Sequence, residues 1–299
     1  MMQVIELKQI TVSHNHVELL KGLDLTIEAG QITGIIGGPG SGKTILLQLL
    51  SGNRKPANGK GTILGNDIYS LQPNINKTRI GYVPASLGID DELTVAETVQ
   101  TFSFLYNGKS DQMDLVPDIL KTVDLEFYDE FPVSRLSPKQ KLFLAIGISL
   151  IHNPQILLID DPAPYLETDG RLEFLRLLRH IAGKGIAVVI ATRSVPDGSY
   201  CDEVAILHGG KLSVSGTVDA LCRSFGVTCF EVRIADRIEA ELVQLLEHTG
   251  LVSYLSGQTI RVINPVDGGE ALQRYGFYKT QPGLEDVKRL YESVAGLRC

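Results

Sequence analysis

Two short stretches carry residues whose types and spacing could handle a phosphate. The first is residues 37 to 44, GGPGSGKT, which match the spacing G-x-x-x-x-G-K-[ST]. Glycines at 37, 40 and 42 let backbone N–H groups turn inward around an anion, and a helix starting where the loop ends adds partial positive charge. Lys43 is then placed to reach the β- and γ-phosphates of a nucleotide, and the Thr44 hydroxyl to ligate Mg2+. A loop that only turns the chain needs one or two glycines and no Lys-Thr behind them. The candidate cofactor-binding set is therefore Gly37, Gly38, Pro39, Gly40, Ser41, Gly42, Lys43, Thr44 and Ile45. The second stretch is ILLIDD, residues 156 to 161. An aspartate at the carboxyl edge of a buried strand, Asp160, can hold Mg2+ through water. By itself Asp160 would serve equally well as a helix cap; the glycine loop tips the reading toward the ion.

The flanking patterns supply elements that could position both stretches. Residues 3 to 36 alternate apolar runs with turn signals, which predicts short strands leading into the loop, and KTILLQLL after it has helical spacing and stops at Gly52. The chain reads as mainly helical from Thr94 to Asn153. Beyond it, the aliphatic runs ILLI and IAVVIAT flank a helical segment, LEFLRLLRHIAGKG, as parallel strands joined by a crossover helix do. EVAILHGG and LSVSG close a first domain near residue 222. The order then restarts from 227 to 299 with strands at CFEVRI, LVSYL, TIRVI and FYKTQ, and helices over 237–248, near 268–274 and from Leu284. Asp236 and Glu239 mark the start of the first of these helices. The order resembles a small split-βαβ unit.

The 299 residues suffice for one large α/β domain of roughly 200 residues and a smaller one of roughly 80. Lysine and arginine number 28 against 35 acidic residues, a formal charge of −7. That balance argues against nucleic acid or an anionic lipid surface as the main partner, while leaving room for a small anion. The longest apolar run, LFLAIGISLI at 142–151, is about half a bilayer span, and the first residues lack a signal-peptide layout, so the chain reads as cytosolic. Cys201, Cys222, Cys229 and Cys299 show no metal-binding spacing and read as free thiols.

With these motifs in place, residues 3 to about 222 resemble the nucleotide-binding subunit of an ABC transporter. GGPGSGKT stands as the Walker A loop, LSPKQ where the family has LSGGQ, ILLIDDP as Walker B, PYLE as the D-loop and IATR as the switch strand. The tail, PGLEDVKRLYESVAG, resembles the C-terminal extension of the bacterial multidrug and daunorubicin-resistance type, mainly through GLEDV. The resemblance implies a P-loop NTPase domain of α/β class over 1–222, with an inserted helical subdomain at about 86–154, and a small α+β accessory domain at 227–299. It also implies ATP and Mg2+ as cofactors and two such domains meeting head to tail. Each nucleotide would lie between one subunit's Walker motifs and the other's signature helix. Transmembrane permease subunits would be the partners, which puts the chain at the cytoplasmic face of a membrane.

Several positions depart from the family pattern. Ala85 stands for the Q-loop glutamine and has no ligand atom. Asp161 stands for the catalytic glutamate, one methylene shorter; it reads equally as a weak base or a strand-end charge, and a displacement on the order of 1 Å can lower a rate about a hundredfold. Arg193 stands for the switch histidine; it could touch a γ-phosphate but cannot exchange hydrogen-bonding roles. Ser137, Pro138 and Gln140 suit the start of a helix as N-cap, first position and capping box. Ser137 and Gln140 are the signature residues retained for a partner's site, although Pro138 has no N–H to offer and Lys139 replaces a second glycine. Glu167 replaces the D-loop aspartate, and His14 stands where an adenine-stacking aromatic is expected. The pattern predicts a chain that binds MgATP, hydrolyses it poorly and pairs with a more complete nucleotide-binding subunit in an export complex, a heterodimer being favoured over a homodimer. An ATP-gated regulatory protein with little turnover is the alternative.

Overall fold

The computed structural model describes residues 2–69, 78–107, 115–224, 228–233, 252–256, 258–264, 272–273 and 276–296. The chain divides into two compact units, Met1–Ser215 and Gly216–Cys299.

The first unit opens with two long strands, β1 (Gln3–His14) and β2 (Val17–Glu28), each of 12 residues, where the sequence suggested short ones. Asn15 and His16, at φ 48° and 63°, make the left-handed two-residue turn that joins them. Lys8 and Gln9 interrupt the apolar pattern without ending β1, because the pairing shifts register between Leu7 and Ile10. Gln9, at φ 52°, is fixed there by donating from its backbone N–H and its side-chain amide to the Asp24 carboxylate at 2.8 and 2.7 Å. β4 (Asn58–Ile63) and β5 (Asn66–Asp67) complete a sheet of order β2-β1-β4-β5.

The second sheet holds the chemistry. Its strands are β3 (Ile32–Ile36), β6 (Ile80–Val83), β7 (Ile156–Asp160), β8 (Ala187–Thr192), β9 (Glu203–His208) and β10 (Lys211–Gly216), in the order β10-β9-β3-β8-β7-β6. β3, β7 and β8 are buried at every residue, as unbroken aliphatic strands covered on both faces must be. They run parallel with Ile36 beside Thr192 and Asp160 beside Ala191, so the carboxyl ends of all three come out abreast. Helix α1 (Lys43–Leu50) packs between the two sheets: Leu46, Leu47, Leu49 and Leu50 are at 0% exposure in one cluster with Leu7, Leu20, Leu158 and Val189. Each such burial stabilises by about 1.5–3 kcal/mol, which anchors α1 and the loop before it.

Three further helices, α2 (Val95–Asn107), α3 (Leu115–Thr122) and α4 (Pro138–Leu150), pack on one another between β6 and β7 in the chain. α4 is buried at every residue from Leu142 to Leu150. After β7, α5 (Thr168–Gly183) packs on β8 and β3 with Phe174, Leu178 and Ile181 inward. A four-residue turn of helix, α6 (Val195–Gly198), follows β8. No described helix is long and apolar enough to cross a membrane.

In the second unit, helix α7 (Val218–Ser224) packs with the final helix, α8 (Leu284–Gly296). This contact sets the division earlier than the boundary near 222 expected from the sequence. Strands β11 (Thr228–Arg233), β12 (Val252–Ser256), β13 (Thr259–Asn264) and β14 (Tyr278–Thr280) form a sheet of order β12-β13-β11-β14. β13 is inserted antiparallel between β11 and β12, the split arrangement that the element order resembles. Within GLEDV, Asp286 is the anchor: its carboxylate accepts from Gly283 N–H at 2.7 Å, from Tyr254 Oη at 2.7 Å and from Arg261 at 2.7 Å, tying the start of α8 to the sheet. The helices expected at 237–248 and, apart from 272–273, near 268–274 lie outside the described residues.

Candidate functional site

The glycine loop joins β3 to α1, as its spacing requires. Gly40 and Gly42 sit at φ 72° and 105°, a region that L side chains rarely adopt. Gly37 is needed for another reason: a Cβ there would collide with the Leu207 carbonyl oxygen and with Ser41 Oγ. The Lys43 ammonium turns back over the loop and donates to Gly37 O at 2.8 Å, Gly38 O at 2.9 Å and Ser41 Oγ at 3.3 Å. Lys43 and Ser41 are 8% and 4% exposed, so a cation is held at the floor of a tight loop. Every α-helix leaves its first N–H groups without an intrahelical partner, and no side chain caps α1. A buried ammonium beside an uncapped helix start is what a phosphate chain fits.

Asp160 ends β7 next to that loop. It is 3% exposed, with the Thr44 hydroxyl close enough to favour its ionised form. Burial pushes the Asp160 carboxyl above its ordinary range; Thr44 pulls it back, Asp161 adds to the rise and the Lys43 ammonium opposes it. Burial and the Asp160 charge also push the Tyr82 phenol up to about 12, which keeps it protonated. Among the described residues no group of three or more His, Cys, Asp or Glu is placed to hold a metal. Thr44 and Asp160 thus offer two oxygens, and a Mg2+ there would depend on phosphate and water for the rest, as Mg2+ commonly does.

The neighbouring positions are arranged differently. Asp161 lies just past the strand at φ 44°, its N–H bonded to Ala191 O at 2.8 Å. Its Oδ2 accepts from the Arg193 guanidinium at 3.1 Å, while Oδ1 is buried with no hydrogen-bond partner. Arg193 follows Thr192 at the end of β8, and both neighbours of Arg193 are tied down. The Thr192 hydroxyl donates to Asp197 Oδ2 at 3.1 Å and accepts from Ser194 N–H at 3.0 Å; Arg171 donates to Ser194 Oγ at 2.7 Å and pairs with Asp197 at 2.9 Å. Thr192 O also accepts from Gly37 N–H at 3.3 Å, which fastens this turn to the glycine loop. Arg171 and Asp197 went unremarked in the sequence, since nothing local links α5 to α6 across their separation.

Ser137 caps α4, accepting from Gln140 N–H at 3.3 Å, and Gln140 Oε1 accepts from Ser137 N–H at 2.9 Å, with Pro138 in the first turn. Lys139 is paired with Glu173 of α5. A cavity of about 320 Å³ lies here, lined by Ser137, Lys139, Glu167, Asp169 and Glu173 among others, three carboxylates and one ammonium. The exposed Ala85 presents only its backbone, whose carbonyl accepts from Tyr165 Oη at 2.7 Å. His14, the last residue of β1, is exposed, and no side-chain hydrogen bond of His14 is found among the described residues. The structure therefore gathers the loop, Thr44, Asp160, Asp161 and Arg193 around three strand ends, with Ser137 and Gln140 on α4.

Residues 20–164 match the sequence profile described as ABC transporter. The chain is 27% identical over 293 residues to the Nod factor export ATP-binding protein I of Rhizobium meliloti, covering 95% of this chain and 86% of that protein. It is 25% identical over 275 residues to a probable multidrug ABC transporter ATP-binding protein of Escherichia coli; that match covers 89% of this chain but spans only 47% of the relative's length. Among solved structures, an ATP-binding cassette in a dimeric post-hydrolysis state with ADP and Pi superimposes at a TM-score of 0.64 and 25% identity, covering 71% of this chain and 98% of that one. On the motif, the strand-end geometry and these likenesses together, the chain carries an ATP-binding domain of the ABC transporter family.

Proposed function

We propose that this chain is the ATP-binding subunit of an ABC-type export transporter, one that holds MgATP and turns it over slowly. The observation that carries the reading is the contrast around β7. Lys43 and the Thr44–Asp160 pair are ordered for binding, while Asp161 is engaged by Arg193. In this reading residues 37–45 wrap the phosphates, Lys43 neutralises them, and Thr44 with Asp160 holds the cation. Mg2+, when bound there, would neutralise charge on the phosphates. Asp161 is a poor base here because it is a methylene short and one of its oxygens already accepts from a guanidinium.

The α4 region supports a second part of the proposal, that the chain works beside a more complete nucleotide-binding subunit. Pro138 removes a backbone donor, Lys139 is committed to Glu173, and the surrounding cavity is acidic. A homodimer would place these weak signature residues against an equally weak hydrolytic site. A heterodimer on transmembrane permease subunits, at the cytoplasmic face, leaves one site able to fire. Affinity purification of the tagged chain from detergent-solubilised native membranes tests this. A multi-span membrane subunit and a second nucleotide-binding chain should copurify; recovery of this chain with copies of itself alone would overturn the assembly.

A further inference from the structure

Helix α5 and the turn after α6 enclose a cavity of about 490 Å³ that the proposed nucleotide site does not use. It adjoins Ile32, the first residue of β3, at the opposite end of that strand from the glycine loop. One face of α5 supplies Leu172, Leu175, Arg176 and Arg179, spaced three and four residues apart, and the turn supplies Tyr200 and Cys201. Leu175 and Cys201 are buried, at 5% and 7% exposure, and burial pushes the Cys201 thiol up to about 12, so both are uncharged lining. Leu172 and Tyr200, one on each wall, are 49% and 53% exposed, two large apolar groups left open to solvent. The walls are fixed. Arg179 Nη1 donates to both Asp202 oxygens at 2.6 Å and Nη2 to the Tyr200 carbonyl at 2.7 Å, while Asp202 Oδ2 also accepts from the Ile32 N–H at 2.8 Å. Arg179 is thereby neutralised. Arg176, one turn earlier and exposed, makes no hydrogen bond or ion pair among the described residues.

We infer that this cavity is a binding site for a small amphiphilic anion, a single short alkyl chain ending in a carboxylate. The chain lies between Leu172 and Tyr200, over Leu175 and Cys201, where it covers apolar surface that the fold leaves open. The carboxylate takes the uncommitted donors of Arg176, whose planar guanidinium matches two carboxylate oxygens at once. Arg179 does not bind the ligand; it holds the turn against α5 and keeps the cavity formed. A cavity of this size suits a molecule of about drug size, held by an apolar lining and a few placed polar groups, so the occupant is a one-chain molecule and not a two-chain membrane lipid. A cationic amphiphile would meet Arg176 with like charge and is excluded by it.

The chain contains no tryptophan, so Tyr200→Trp gives the full-length protein a single indole at the rim of the cavity. Titration with decanoate should shift its emission to the blue and saturate, with a Kd of about 0.1–1 mM. Calorimetry on the unaltered chain should return the same affinity. Decyltrimethylammonium, with the same chain length and the opposite charge, should bind at least about 10-fold more weakly. In the Tyr200→Trp background, Arg176→Gln at its exposed position should weaken decanoate about 10-fold, and Leu172→Glu, which sets a carboxylate in the wall, should abolish binding. Absence of saturation, binding confined to the tryptophan variant, equal affinity for the two amphiphiles, or decanoate affinity unchanged by Arg176→Gln overturns the site. So does Arg176-dependent cosedimentation of the unaltered chain with phosphatidylglycerol vesicles, which would assign the same groups to a lipid surface.

Discussion

Asp160 and Asp161 are adjacent in the chain and set in opposite surroundings. Asp160 is the last residue of a buried strand, 3% exposed, and lies beside Thr44 on a helix whose leucines fill the main core. Asp161 is the first residue off that strand, in a left-handed conformation, and leans on the exposed Arg193. The groups proposed to hold phosphate are thus mounted on packed elements, whereas those at the proposed turnover positions lie on turns and pair with each other. A change of side chain at 161 or 193 leaves the packing of β7 and β8 intact, so binding and hydrolysis can part company without loss of the fold.

Substitutions on the two sides should therefore differ in kind. The largest effect is expected from Lys43→Ala, which removes the buried ammonium and should weaken MgATP binding by about 100-fold or more in calorimetry; an unchanged affinity would detach the loop from the phosphates. Next, Gly37→Ala should cost about 2–3 kcal/mol in denaturant unfolding, because its Cβ collides with the Leu207 carbonyl oxygen and Ser41 Oγ. Gly40→Ala meets nothing within 4 Å and should cost only about 1–2 kcal/mol, for its φ of 72°. Equal losses would mean that backbone angle rather than close packing sets the loop. The smallest effect belongs to the turnover side: Arg193→Ala breaks a pair exposed at 52% and 24% and should cost under about 1 kcal/mol. Asp197→Ala should cost about 2 kcal/mol, since it strands Arg171 and the Thr192 hydroxyl. A destabilisation by Arg193→Ala as large as that of Asp197→Ala would show that Arg193 is part of the frame and not mounted on it.

How much of this was legible in the sequence depended on whether the signal was local. The glycine spacing, the aliphatic run ending at Asp160 and the Ser137–Gln140 capping box are each contained within a few residues, and the structure forms the loop, the strand and the cap at those positions. The length of β1 was not legible, because the bulge at Gln9 depends on Asp24, a residue on the opposite strand. β4 was missed for a similar reason: Asn58–Ile63 is rich in glycine, and it forms a strand only because Gly59 and Gly61 pack closely against the backbone of β1. The Arg193–Asp161 contact spans 32 positions. The sequence identified each residue as altered but gave no sign that one alteration meets the other. Cys201 and Cys229 are free and buried, and burial pushes both thiols up to about 12, in keeping with inert packing residues.

The central claim is that nucleotide is held and left largely intact. It is tested most directly by mixing the full-length chain with a substoichiometric amount of MgATP, quenching in acid at intervals and separating the nucleotides. ATP should be recovered nearly whole over the time in which a subunit with a glutamate base would have completed many turnovers, a deficit of about a hundredfold or more. Stoichiometric ADP within the first turnovers of such a subunit, abolished by Asp161→Asn, would show that Asp161 is a competent base and contradict the account.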